Sequence, residues 1–244
     1  MKSNAQLKQE AKEMLAGRWK EAILLNLVPT VIAIIAAIVI LVILAIPAYF
    51  LWNNNIIQDS MNNGTINQSL DLDFGQSGGS GFFSGIIGTF FAVGISWTFL
   101  DVLRQKKTTI VPFKDVFKGF QAPYGIGILV IYLLTSIFIS LWSLLFIIPG
   151  IIKSYSYSQA YFIYYDEYVE TGTPPRYLAM ITKSRQLMDG FKTQLFLLDL
   201  SFIGWHILSI FTLGIGYLWL VPYISSTKAA FYNNLAKPIA SESI

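Results

Sequence analysis

The sequence predicts an all-α polytopic membrane protein, with six transmembrane helices arranged as three hairpins and with amphipathic helices on the cytoplasmic side. Hydrophobic residues make up 54% of the 244 residues and charged residues only 13%, against about 25% charged residues in an ordinary soluble domain. The apolar residues also form long blocks. About 20 helical residues cross a hydrocarbon core of about 30 Å, and each block is close to that length or longer.

Six apolar blocks define the predicted spans, all within a single membrane domain over residues 1–244. The spans lie near 23–51, 82–100, 125–147, 150–168, 192–212 and 215–235. The first block is about twice as long as the apolar core of a signal peptide, so we expect it to remain as a membrane anchor. Clusters of helix breakers without charge mark the turns of the last two hairpins, at Ile148 to Gly150 and at Thr212 to Gly216.

The basic residues predict the orientation of these spans. Lysines and arginines precede the first span, separate spans two and three, separate spans four and five, and follow the sixth. Because basic loops stay in the cytoplasm, this pattern predicts a multi-pass protein of the bacterial cell membrane with both termini cytoplasmic. Lys153, one turn into span four, falls near the opposite side, and we expect its side chain to snorkel to the outer surface.

Three segments lie outside the predicted spans. Residues 53–80 are rich in Asn, Gln, Ser and Gly and contain no basic residue, which predicts a flexible extracellular loop. Residues 5–20 predict an interfacial helix and residues 175–190 a cytoplasmic amphipathic helix. Such helices either lie on anionic lipid of the inner leaflet or pack against the cytoplasmic floor of the bundle, and the sequence leaves both open. Their apolar faces comprise Leu7, Ala11, Met14, Leu15 and Trp19 in the first, and Tyr177, Met180, Ile181, Leu187 and Met188 in the second.

Composition and motifs argue against enzymatic chemistry. The chain has no cysteine and one histidine, so it has no thiol nucleophile and no cysteine- or histidine-based metal site. We find no phosphate-binding loop, dinucleotide-binding turn, nucleophile elbow or metalloprotease helix. We therefore expect neither an enzyme nor a cofactor. The net charge of +3 is too small and too dispersed to indicate nucleic acid.

Asp199 and His206 lie within an apolar region, where ionisable groups are costly and are functional by default. Lys192, Asp199 and His206 are spaced by seven residues, nearly on one helical face. This polar face, with Lys153 as a further member, is one hypothesis for proton handling. The alternative is structural. Asp199 precedes the turn at Leu213 and Gly214 by as many residues as Lys228 follows it, which predicts an intramembrane ion pair at equal depth.

Span four is the most polar of the six. Its tyrosines could stack on a ligand or cation, with hydroxyl and amide groups close by. Together with span five, it is therefore our candidate for a solute or lipid site. The candidate lining residues are Tyr155, Tyr157, Tyr161, Ser158 and Gln159.

Several residue strings carry a family resemblance. They are Leu15 to Trp19, Ile148 to Ile151, Lys183 to Gly190, Leu200 to Trp205, Thr212 to Gly216, Leu218-Trp219, Pro222-Tyr223 and Phe231-Tyr232. Together they resemble an integral membrane family called domain of unknown function 975, found mainly in Gram-positive bacteria. The resemblance implies a plasma-membrane protein of about six helices and brings no catalytic residue with it.

Two functional hypotheses remain. The first is a non-enzymatic accessory or scaffold protein that contacts the lipid bilayer or another membrane protein or complex. The second is a small proton-coupled transporter or channel that uses spans four and five. A polar cavity reaching the middle of the bundle between those spans would favour transport.

Overall fold

A computed structural model describes residues 1–53 and 78–241, and these ranges contain helices and no strand. Most of the loop predicted at 53–80 lies outside the described residues, and the ends that are described belong to helices. The α-helices in chain order are α1 Asn4–Leu15, α2 Trp19–Asn53, α3 Gly78–Leu103, α4 Pro112–Asp115, α5 Tyr124–Leu145, α6 Ile147–Tyr157, α7 Ala160–Thr171, α8 Tyr177–Leu187, α9 Lys192–Leu200, α10 Ile203–Phe211 and α11 Tyr217–Ser241. A 3₁₀ helix, Val116–Phe120, follows α4.

The chain divides into two compact units. One is Pro29–Gly85, which contains the apolar part of α2 and the start of α3. The other comprises Met1–Val28 and Ile86–Ile244 and contains all the contacts discussed below.

Within the described residues, four helical segments are long and apolar enough to cross a membrane. They are Trp19–Phe50, Ser84–Leu103, Tyr124–Leu145 and Lys192–Phe211. The all-helical fold and the presence of membrane-span-like helices are thus confirmed, whereas the six spans and their pairing into three hairpins stay predictions. Span four is divided, because α6 ends at Tyr157 and α7 begins at Ala160. The 11 residues of α6 measure about 16 Å, roughly half of a hydrocarbon core.

The core of the larger unit is built around Trp97 on α3, which is fully buried. Its ring stacks on that of Tyr165 from α7, with the centroids 4.7 Å apart, and its indole nitrogen donates a hydrogen bond to the Tyr161 carbonyl at 3.1 Å. α5 approaches α7 closely at Gly127, where a Cβ atom would lie 2.1 Å from the Tyr164 ring. These contacts fix α3, α5 and α7 against one another.

The two predicted amphipathic helices use their apolar faces for packing inside the protein. α1 begins with a capping box between Ser3 and Gln6, and it buries Leu7 and Ala11 completely in contact with α9 and α11. α8 buries Met180 and packs against α5, α6 and α7. The basic side chains of α1 and α8 therefore remain exposed on the surface of the protein or lie at the edges of these contacts.

Two helical turns carry exposed apolar residues. In the α5–α6 hairpin, Ile131 is fully buried, but Leu144, close to the turn, is 86% exposed. In the α10–α11 hairpin, Leu213 at the turn is 94% exposed. Small residues allow both turns to be tight, since a Cβ atom at Gly150 would lie 2.1 Å from Ser143 Oγ and one at Gly216 would lie 2.7 Å from Ser209 Oγ. Both turns thus form apolar tips in the part of the chain that the structure describes.

Candidate functional site

Asp199 on α9 lies at the meeting point of three helices. Lys228 of α11 places Nζ 3.0 Å from Asp199 Oδ1, and Tyr155 of α6 donates its hydroxyl to Asp199 Oδ2 at 3.2 Å. The side chains of Asp199 and Lys228 are 29% and 44% exposed. One carboxylate thus accepts both partners and links α6, α9 and α11.

The register of the last hairpin explains why Asp199 and Lys228 meet. Phe202 contacts Tyr223 edge to face with the centroids 5.4 Å apart, and His206 lies against Tyr217 at 5.7 Å. Residues closer to the turn on one helix of the hairpin therefore contact residues closer to the turn on the other helix. The turn itself uses left-handed backbone at Leu213 and Gly214, a conformation that glycine adopts at no steric cost.

His206 and Lys153 make no direct bond to Asp199. In the described part of the chain, Asp199 is bonded to Tyr155 and Lys228, and no hydrogen bond or ion pair connects it to either residue. The His206 ring lies against the Tyr217 ring, and Lys153 Nζ lies 4.4 Å from the centre of the Trp142 ring. The polar face for proton handling stays a prediction.

The candidate lining residues of span four also take different roles. Tyr155 binds Asp199, whereas Tyr157 is buried with its ring 6.2 Å from that of Phe138. Ser158 and Gln159 lie at the break between α6 and α7. The Gln159 backbone nitrogen donates to Ser184 Oγ at 3.2 Å, and the Gln159 side chain donates to Ser158 Oγ at 2.8 Å. Tyr161 is partly buried against the core, and its backbone carbonyl accepts the Trp97 indole bond. Only part of this set borders open space.

Two adjoining clefts lie where α6 meets α8. The first, of about 310 Å³, is lined by α6, α8 and the start of α9, and the second, of about 280 Å³, is lined by α5, α6 and α8. Lys153 and Arg185 border both clefts. Lys192 and Asp189 complete the polar wall of the first cleft, while Trp142 lies in the second.

The shared position of Lys153 and Arg185 brings two sequence expectations into conflict. Lys153 was expected to reach the outer surface and residues 175–190 to lie on the cytoplasmic side. Both side chains line the same two clefts, which does not fit positions at opposite surfaces of a hydrocarbon core of about 30 Å.

Sequence reasoning missed two buried charge networks at the C-terminal end of α3. In the first, Asp101 forms an ion pair with Lys118 and accepts a hydrogen bond from the Tyr165 hydroxyl at 2.9 Å. Burial lowers the pKa of Lys118 below its ordinary value, against the opposing attraction of Asp101. The available signal was the charge itself, since Asp101 closes an apolar run.

The second network joins α3, α7 and α11. Arg104 forms two hydrogen bonds to the Asp166 carboxylate, at 2.5 and 2.9 Å, and a third to Asn233 Oδ1 at 3.1 Å. The Tyr232 hydroxyl donates to Asp166 at 2.6 Å. Such a bidentate arrangement adds geometric specificity as well as energy, so these bonds fix α7 and α11 against the end of α3.

Comparison with known proteins supplies the family. A family model described as "Protein of unknown function (DUF975)" matches residues 1–156 and 145–238. The chain belongs to the DUF975 family. No curated protein and no solved structure matches the chain. The DUF975 match confirms the resemblance found in the sequence, and its description assigns no activity. The occurrence in Gram-positive bacteria stays a prediction.

Proposed function

We propose that this DUF975 protein is a non-enzymatic integral protein of the bacterial cell membrane, with both termini cytoplasmic, that serves as an accessory or scaffold protein contacting anionic lipid. One observation carries the proposal. The α5–α6 and α10–α11 turns expose apolar residues, and each hairpin carries a cationic side chain farther from its turn, Lys153 on α6 and Lys228 on α11. This order, from charge to apolar surface, is that of a leaflet from head group to acyl chain.

The charge networks support a scaffold more than an enzyme. Asp101, Asp166 and Asp199 each bind a cation from another part of the chain and a tyrosine hydroxyl. Breaking such a pair leaves an uncompensated charge and is costly. These carboxylates are thus committed to holding helices together.

The membrane arrangement is part of the proposal. Basic segments and both termini face the cytoplasm, as the Lys and Arg pattern predicts. We place Lys153 on the same side as α8, so the α5–α6 hairpin enters one leaflet instead of crossing both. Six full crossings would need Lys153 and Arg185 at opposite surfaces.

The test is purification of the full chain in native lipid particles, followed by mass spectrometry of the lipids and proteins that remain bound. Retention of anionic phospholipid above its share in the membrane, with or without a protein partner, is the expected result. Recovery of the bulk lipid composition with no partner would overturn the proposal.

A proton-coupled transporter or channel is the second candidate, favoured by the Tyr155–Asp199–Lys228 chain. The carboxylate at its centre is partly accessible and has a hydroxyl on one side and an ammonium on the other. A pH-dependent flux in proteoliposomes that is lost in Asp199→Asn, while the variant keeps its melting temperature, would favour transport over the scaffold.

A further inference from the structure

We propose that the two adjoining clefts between α6 and α8 form one binding site for an anionic phospholipid, with the lipid phosphate between Lys153 and Arg185. This inference rests on the proposed contact with anionic lipid and assigns it to particular residues. The site is distinct from the Asp199 cluster and from both charge networks near α3.

Two cations without counter-charges face this site. Lys153 and Arg185 form no ion pair with any residue in the described ranges, and they come from different helices. Lys192 is the third cation of the first cleft and lies 3.2 Å from the Asp189 carboxylate, which is 86% exposed. Three cations and one carboxylate leave the cleft with an excess of positive charge. A phosphate oxygen between Lys153 and Arg185 would satisfy both through charge-assisted hydrogen bonds.

The second cleft supplies an apolar wall next to these cations. Its lining includes Phe138, Trp142 and Leu178, and Lys153 Nζ lies over the Trp142 ring. Indole rings favour the boundary between head groups and acyl chains. Cationic and apolar walls meeting in one site match a molecule with an anionic head and a hydrocarbon chain better than a free anion.

The surroundings of the site extend the apolar wall. From Lys153 to the start of α6 at Ile147 is about 9 Å along the helix, and Ile147, Ile148, Ile151 and Ile152 are all about half exposed or more. An acyl chain leaving the site would lie along this face. The two cleft volumes are each at the lower end of the range for small-molecule sites, enough for a phosphate and the glycerol next to it.

The experiment compares retention of phosphatidylglycerol and phosphatidylcholine by the purified full chain, measured by native mass spectrometry from vesicles that contain both lipids. The test variant is Lys153→Gln with Arg185→Gln. The matched control is Lys106→Gln with Lys114→Gln, which removes the same charge from exposed positions outside the clefts. We expect about tenfold less phosphatidylglycerol bound to the test variant and no change in the control. Melting temperatures establish that both variants are folded.

A further variant acts in the opposite direction. Asp189→Asn removes the carboxylate of the first cleft, so phosphatidylglycerol retention should rise by about two- to fivefold. A fall in retention would contradict the assignment. Inorganic phosphate is the competing probe. Displacement of the lipid by millimolar phosphate would show that the site takes the free anion and would overturn the lipid assignment.

The two proposals fail in different ways. If the unchanged chain holds phosphatidylglycerol no better than phosphatidylcholine, both the lipid contact and the cleft assignment fail. If it prefers phosphatidylglycerol but Lys153→Gln with Arg185→Gln keeps that preference, the cleft assignment alone fails.

Discussion

Asp199 links three helices because its two carboxylate oxygens have different partners, Lys228 on one side and Tyr155 on the other. An acceptor shared in this way is hard to replace, since its removal leaves an ammonium and a hydroxyl without their partner. The contribution of the Asp199–Lys228 ion pair to stability depends on how deeply the pair is buried. Exposed pairs contribute about 0–1 kcal/mol, whereas removing one partner of a buried pair costs about 3–5 kcal/mol.

We predict that Asp199→Ala lowers the free energy of unfolding by about 1–3 kcal/mol, between these limits because the pair is only partly exposed. The double variant Asp199→Leu with Lys228→Leu should recover most of that loss. Asp189→Ala is the control, because its carboxylate is largely exposed and its removal should cost less than about 0.5 kcal/mol. Thermal unfolding in detergent measures all three. An Asp199→Asn variant that keeps its melting temperature but loses pH-dependent flux in proteoliposomes would refute the structural account of this residue.

Lys118 gives a prediction on pH. Because burial lowers its pKa in the folded state, the unfolded chain binds more protons, and the stability should rise as the pH rises toward 10.5, the ordinary value. The Lys118→Met variant should not show this contribution to the increase of stability with pH. Lys114→Met, at an exposed position, should keep it. Unfolding curves at several alkaline pH values measure the difference, and equal slopes for Lys118→Met and the unchanged chain would contradict the prediction.

At the scale of elements, the 3₁₀ helix Val116–Phe120 packs against α3 with almost no space between the backbones. A Cβ atom at Gly119 would lie 2.3 Å from the Phe90 carbonyl oxygen. We predict that Gly119→Ala costs about 2–3 kcal/mol, since backbone atoms cannot rotate away as a side chain can. A Cβ atom at Gly88, on α3, meets nothing within 4 Å, so Gly88→Ala should be neutral or stabilising. Similar melting temperatures for the two variants would contradict this packing.

The elements also show what the sequence could predict. Apolar periodicity indicated the helices, and counting from the turn at Leu213 brought Asp199 and Lys228 together, because an antiparallel hairpin relates depth to sequence number. Counting from this turn could not predict the contact of Tyr155 with Asp199, since α6 belongs to another hairpin. The break at Ser158 and Gln159 was also missed. It lies in a stretch of serines and tyrosines without a glycine or proline to mark a helix end, and the Gln159 backbone is satisfied there by Ser184 from a distant helix.

At the scale of the whole molecule, the sequence places Lys153 and Arg185 at opposite membrane surfaces, although their side chains line the same clefts. Length and hydropathy describe each helix separately, whereas the clefts show which side chains from different helices lie close together. On the neighbouring helices, Lys183 of α8 and Glu167 of α7 form an ion pair at 2.5 Å on the surface. Such a pair suits water or head groups, so in our proposed placement the acyl region begins beyond Lys153.

The depth of the α5–α6 tip follows from this placement and is directly testable. The chain has no cysteine, so a single introduced cysteine reports on one position. We predict that Ile148→Cys resists a membrane-impermeant maleimide in intact cells and in permeabilised cells, and reacts only in detergent. The reaction requires the thiolate, which hydrocarbon disfavours, and protein burial cannot explain the protection because Ile148 is 71% exposed. Lys106→Cys is the control and should react only after permeabilisation. Labelling of Ile148→Cys in intact cells would show that the hairpin crosses both leaflets, as six full spans require, and would separate Lys153 from the cytoplasmic side on which we place it.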